Sequence, residues 1–218
     1  MRASTAGLLF LLLIVVLVWF ALGTQRNIRR GGDRLRWLQD GLPLLGRRTT
    51  VRWLGSSAVE LQIQDPRPPF REAQVVVVLE PRDVAVLWAW ARARRRRDFL
   101  ILRGRLERAP GLELEAGDVR GWTGMDGLRR LDPGAWTEVD WGRPWLRVAH
   151  DPRDEPAVAR PLWDRLAEAS GGVWRMSIRR SPPHLEVHVL FPDAGSVPAE
   201  RLLTAFRDLA RAVAPGPG

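Results

Sequence analysis

Three histidines, His150, His184 and His188, are the only imidazoles in a chain of 218 residues that lacks cysteine, lysine and tyrosine. Two of them bracket a carboxylate in His184-Leu185-Glu186-Val187-His188. On a strand these three polar side chains share one face, as metal ligands or a base with its acid would. The spacing argues against a shared ion. At about 3.3 Å per residue, backbones four residues apart stand roughly 13 Å apart, too far to close on one metal without distortion. The alternation with Leu185, Val187 and Val189 reads instead as a strand with one buried and one wet face.

Nucleophilic catalysis would need a Ser or Thr beside one of the three histidines, and no spacing singles out such a set. Gly121-Trp122-Thr123-Gly124-Met125-Asp126-Gly127 lacks the lysine of a phosphate-binding loop and follows no convincing strand, so it reads as a connection. Glu113 and Glu115 alternate with leucine and are expected to face water. These residues name no catalytic group, no cofactor and no metal site. They favour a non-enzymatic module. The competing reading is a membrane-associated enzyme acting on a lipid or anionic ligand, with His184, His188 or His150 as base and the Arg92, Arg94, Arg95, Arg96, Arg97 run holding phosphate.

All 34 basic residues are Arg, and the formal net charge is +9. Its distribution is uneven. Residues 25–60 carry 8 Arg against 3 acids, whereas residues 121–218 carry 13 of each. The excess follows directly on a stretch, Ala3 to Thr24, that has no charged side chain and is nearly all Leu, Val, Ile and Phe from Gly7 to Leu22. As a helix that stretch reaches roughly 33 Å, enough for a hydrocarbon layer of about 30 Å. Trp19 and Phe20 fall at one end, where aromatic rings favour the interface.

A cleaved secretory signal is the alternative, given Ala21-Leu22-Gly23. The long apolar run and the single leading Arg2 favour an uncleaved anchor. Arg2 alone precedes the segment and Arg26, Arg29, Arg30, Arg34 and Arg36 follow it, so the positive-inside rule places the C-terminal domain in the cytoplasm. Those five arginines are the expected contact with anionic lipid. Asp33 to Gly41 reads as a short helix with an Asp cap, lying on the bilayer through Leu35, Trp37, Leu38 and its arginines or docked on the domain through Leu35 and Leu38.

Residues 76–83 and 146–154 share a Pro-Arg-Asp, each followed by a helical stretch containing Leu-Trp, a strand-like run and a Pro turn. The first Pro and the turn Pro are 81 and 110 in one copy, 152 and 182 in the other. This order predicts an internal duplication of two strand-helix-strand-strand units related by a pseudo-twofold. It resembles ferredoxin-like modules at the level of topology only.

The fold class expected is therefore α+β behind a transmembrane helix. The divisions are a tail and transmembrane helix at 1–25, a basic juxtamembrane segment at 26–48, a first unit at 49–120, a Trp- and Gly-rich link at 121–144 and a second unit at 145–218. Val84 to Ala91 is apolar around its whole circumference, which predicts cover on several sides, by the two halves or by a partner. Trp88, Trp90, Arg94, Arg95, Arg96 and Arg97 are the candidate interaction surface, for another protein or a second copy of the chain. The Arg run also fits a helix C-terminus, and without a binding motif it argues against nucleic acid.

Overall fold

The computed structural model describes residues 5–193 and 196–214. The expectation for Arg2 and the N-terminal tail lies outside them. Helix α1 (Thr5–Gln39) is followed by strands β1 (Gly46–Trp53), β2 (Ala58–Pro66) and β3 (Phe70–Val78), helix α2 (Ala85–Ala93), and strands β4 (Phe99–Leu106), β5 (Leu114–Asp118), β6 (Thr137–Glu138) and β7 (Leu146–His150). Helix α3 (Ala159–Glu168), strands β8 (Val173–Ile178) and β9 (Leu185–Leu190) and helix α4 (Ala199–Val213) complete the chain. The fold is α+β: a nine-stranded sheet ordered β1-β2-β3-β4-β9-β8-β5-β7-β6, with every neighbouring pair antiparallel.

One sheet face carries Val75, Val77, Leu100, Leu102, Leu114, Met176, Val187 and Val189, all buried in one apolar core. The amphipathic α4 supplies Leu202, Leu203, Phe206, Leu209 and Val213 to that core, as its spacing predicts, and α3 adds Leu162, Trp163 and Leu166. The two segments that share Pro-Arg-Asp both have the order strand, helix, strand, strand, but their strands have different neighbours. β3 and β4 pair directly across α2, whereas β7 and β8 run parallel on either side of β5, a split strand-helix-strand arrangement. A twofold exchanging the matched strands does not reproduce this order.

Helix α1 is the one described helix long and apolar enough to cross a membrane. It does not stop where the apolar run stops. The expected separate helix from Asp33 is absent; α1 continues through Gly31-Gly32-Asp33 to Gln39, because packing against the domain offsets the poor helix propensity of the two glycines. Its buried positions are Gly23, Asn27, Gly31 and Leu38, a stripe along one face. Leu38 is fully buried and Leu35 and Trp37 pack on the core, with the Trp37 indole N–H donating to the Val197 carbonyl at 3.0 Å. That segment therefore docks on the domain.

The stripe is small for a steric reason. A Cβ on Gly23 would collide with the backbone of Arg82 and Asp83, and one on Gly31 with the ring of Trp53. Gly23→Val should therefore push α1 away from the β3–α2 connection. The expected cost is about 1–3 kcal/mol of stability, read as a lower thermal midpoint, whereas Gly32→Ala, where a Cβ meets open space, should leave the midpoint unchanged or raised.

Candidate functional site

The residues that join α1 to the domain sit at the sheet end where β3 leaves and β4 begins. Arg82 is buried and forks onto Asp98, its Nη1 and Nη2 donating to the two carboxylate oxygens at 2.9 and 3.1 Å. Asp98 also accepts the Glu80 amide at 2.7 Å. From α1, Asn27 completes the arrangement: its Oδ1 accepts from Arg82 at 3.1 Å and its Nδ2 donates to the Glu80 carbonyl at 3.0 Å. The Trp88 indole N–H donates to Glu80 Oε2 at 2.7 Å, and that of Trp19 to the Arg82 carbonyl at 3.1 Å. Two buried charges are tolerable only when their remaining donors and acceptors are satisfied, and here the single asparagine of the chain supplies part of that satisfaction.

Beside this cluster opens a cleft of about 970 Å³. Arg26, Arg30 and Arg34, spaced by four residues along α1, form one wall, and Arg92 and Arg97 reach it from the end of α2. Trp19, Leu22 and Trp88 line its apolar side, with the Trp19 and Trp88 rings 6.2 Å apart. Arg30 makes one long contact with Asp98 at 3.5 Å, and Arg34 lies 4.3 Å over the Phe191 ring. Among the described residues, no carboxylate is within ion-pair distance of Arg26, Arg34 or Arg97.

Sequence reasoning placed Arg26, Arg30 and Arg34 at a lipid-facing position, and the structure gathers these three into one cleft; Arg29 and Arg36 lie outside it. The second basic run divides. Arg94 and Arg96 lie over Trp90 and Trp122, while Arg92 approaches Glu80 at 3.7 Å and Arg95 stays exposed with positive φ. Asp98, which directly follows this run, is taken by Arg82. Asn27, Glu80, Arg82 and Asp98 were missed as a group. The available signal was a lone polar residue one turn from each of two glycines, in a helix leaving an apolar segment.

Helix α2 corrects another expectation. It is not sandwiched: only Ala91 is buried, and Val84, Val86, Leu87 and Trp90 are exposed. The reason is its position outside the sheet, held by Trp88 on Trp19 and by Trp90 edge-on to Trp122.

The polar face of β9 is also not wet. His184, His188 and Glu115 are buried, because the 119–145 connection folds over that face; the Gly117 and Gly124 backbones touch too closely for a Cβ, and Gly127 sits against Glu115 and Arg175. Trp122, Trp136, Trp141 and Trp145 act largely as cover, with Arg179 over Trp136 and Arg120 over Trp145. Arginines neutralise the buried carboxylates: Arg175 bonds Glu115 at 2.5 Å and Glu186 at 2.7 Å, Arg179 bonds Glu115 at 2.7 Å, and Arg103 bonds Glu186 at 2.7 Å.

Within this layer His188 lies 2.7 Å from the Thr123 hydroxyl and 3.1 Å from Glu186. A carboxylate only accepts, so Nε2–H donates to Glu186, and Nδ1 is left to the Thr123 hydroxyl. This is the hydroxyl–imidazole–carboxylate order that nucleophilic catalysis uses. It is closed, however: Thr123 and His188 are buried, and neither residue lines the Arg cleft. His150 faces the Asp151 carbonyl at 2.8 Å and lies apart from both. Among the described residues, no group of three His, Asp or Glu side chains stands close enough to hold a metal ion. No known protein family and no curated protein matches the chain.

Two outcomes follow. Asp98→Asn leaves the Arg82 guanidinium buried without its counter-charge and should cost about 3–5 kcal/mol, seen as a large drop in unfolding midpoint, whereas Asp33→Asn at the exposed Arg36 pair should change it little. Burial, with the Arg105 charge nearby, holds the His184 pKa below its ordinary 6.5, while its Nδ1 accepts the Leu106 amide at 2.9 Å. Unfolding restores ordinary proton affinity, so this contribution to stability is complete above about pH 6.5 and is lost as pH falls below it. His184→Asn, which keeps an acceptor for the Leu106 amide, should flatten the loss of stability measured between about pH 7 and pH 5. An unchanged slope contradicts the assignment.

Proposed function

We propose that this chain is a single-pass membrane protein whose C-terminal α+β domain serves as a non-enzymatic interaction or scaffold module on the cytoplasmic face of the cell membrane. One observation carries the reading: α1 runs unbroken from its apolar segment into the domain and is fastened there by Gly23, Asn27 and Gly31. A domain tethered by a flexible linker would sample all attitudes to the bilayer. A domain fastened to a rigid helix keeps one.

In that attitude α2 lies beside the last apolar turn of α1, at the depth of Trp19 and Gly23. Its exposed Val86, Leu87 and Trp90 meet the interfacial zone, and the arginines that follow reach the headgroups. The five juxtamembrane arginines hold the domain on the inner side. Surfaces away from α1 and α2 remain for a protein partner or a second copy. The recurrent Pro-Arg-Asp before both middle helices supports an origin by duplication, after which strand neighbours diverged.

Reporter fusions at the C-terminus test the orientation. Cytoplasmic reporter activity is expected for the native chain, and replacing Arg26, Arg29, Arg30, Arg34 and Arg36 by Gln should reduce it toward mixed topology. Activity of an extracytoplasmic reporter in the native chain favours an outward-facing partner-binding domain. Release of a soluble product beginning after Gly23 contradicts anchoring.

A further inference from the structure

We infer that the Arg-walled cleft between α1 and α2 is a discrete site for the phosphate group of an anionic phospholipid; this deepens the membrane-anchored reading and depends on it. Four observations converge. The cleft's volume of about 970 Å³ is of the size that holds a small molecule or a headgroup. Its lining is amphipathic along one direction: Trp19 and Leu22 belong to the apolar segment, and Arg26, Arg30 and Arg34 continue the same helix one turn at a time.

Third, part of the positive charge is unspent. Among the described residues, Arg26, Arg34 and Arg97 have no carboxylate within ion-pair distance; Arg30 and Arg92 reach Asp98 and Glu80 only at 3.5 and 3.7 Å, and of the three acids in the lining, Glu80, Asp98 and Asp193, the first two are engaged with Arg82, Trp88 and the β3–α2 backbone. Guanidinium groups converging from two elements match the oxygens of a phosphate, which accepts several charge-assisted bonds at once. Fourth, Trp19, Leu22 and Trp88 make one side of the cleft apolar, so an acyl chain can run along them toward the apolar segment while the phosphate is held by the arginines. A diffuse basic surface would have none of these walls.

The test uses the full chain in neutral detergent, with dioleoylphosphatidylglycerol or dioleoylphosphatidylcholine added and retained lipid counted by native mass spectrometry. One equivalent of the anionic lipid is expected to remain. The paired substitution Arg26→Gln with Arg97→Gln should weaken retention about tenfold or more. Arg29→Gln with Arg36→Gln removes the same charge outside the cleft and should leave retention unchanged. Equal loss from both pairs overturns the site in favour of diffuse attraction, and equal retention of both lipids overturns it as well.

A third arm adds inorganic phosphate. Displacement of the lipid by low millimolar phosphate supports the anion site but assigns it to a free phosphate. Arg26 and Arg97 are exposed, and thermal midpoints of both pairs within a degree or two of the native chain confirm folding. Protease protection in vesicles, measured in parallel, separates a failed site from a failed anchor, because Arg97 lies outside the segment that sets topology.

Discussion

Arg82 sets the terms for this molecule. Its guanidinium is buried at the end of the sheet, where an unpaired charge would be prohibitive, and Asp98 alone leaves donors and acceptors around it unmet. The missing partner comes from a different part of the chain, the amide of Asn27 on α1. Helix α1 is consequently part of the domain's own polar network, not an appendage to it. Removing α1 would take Leu38 out of the core and strand the Arg82 and Glu80 groups that Asn27 now bonds.

From that constraint the rest follows in order. The glycines at 23 and 31 exist in the stripe because nothing larger lets α1 approach closely enough for Asn27 to reach. The close approach brings Trp19 against Trp88, which fixes α2 beside the apolar segment and leaves its own apolar residues uncovered. The same approach aligns three arginines of α1 opposite the arginines that end α2. An interface built for attachment thereby creates a basic, partly apolar cleft.

A second economy of arginine operates on the far face of the sheet. With no lysine or tyrosine available, buried carboxylates are met by guanidinium groups: Arg175 bonds both Glu115 and Glu186, Arg103 bonds Glu186, and Arg179 bonds Glu115 while lying over Trp136. Although burial by itself would raise the Glu186 carboxyl, bonds and charge from His188 and Arg103 bring it to about 2. The face is held by ion pairs under a tryptophan cover.

Periodicity made part of this legible from the amino-acid order. The apolar run from Gly7 specifies a long apolar helix, and the alternation of Leu185, Val187 and Val189 and the stripe of Leu202, Phe206 and Leu209 each specify one buried face. What alternation cannot report is whether the opposite face is covered by something distant, and so Glu115, His184 and His188 were expected in water. For α2 the error ran the other way, since an all-apolar circumference signals removal from water without saying whether protein or lipid does it. Asn27 was visible as a lone residue, but its meaning depends on Glu80 and Arg82, more than fifty positions away. Amide hydrogen exchange on the full chain in bilayers tests the central claim most directly. Protection running without a break from the apolar segment through Gly31 to Leu38, comparable to that of the central strands, is the predicted result; fast exchange across Gly31-Gly32-Asp33 would show a hinge there and contradict a rigidly fastened anchor.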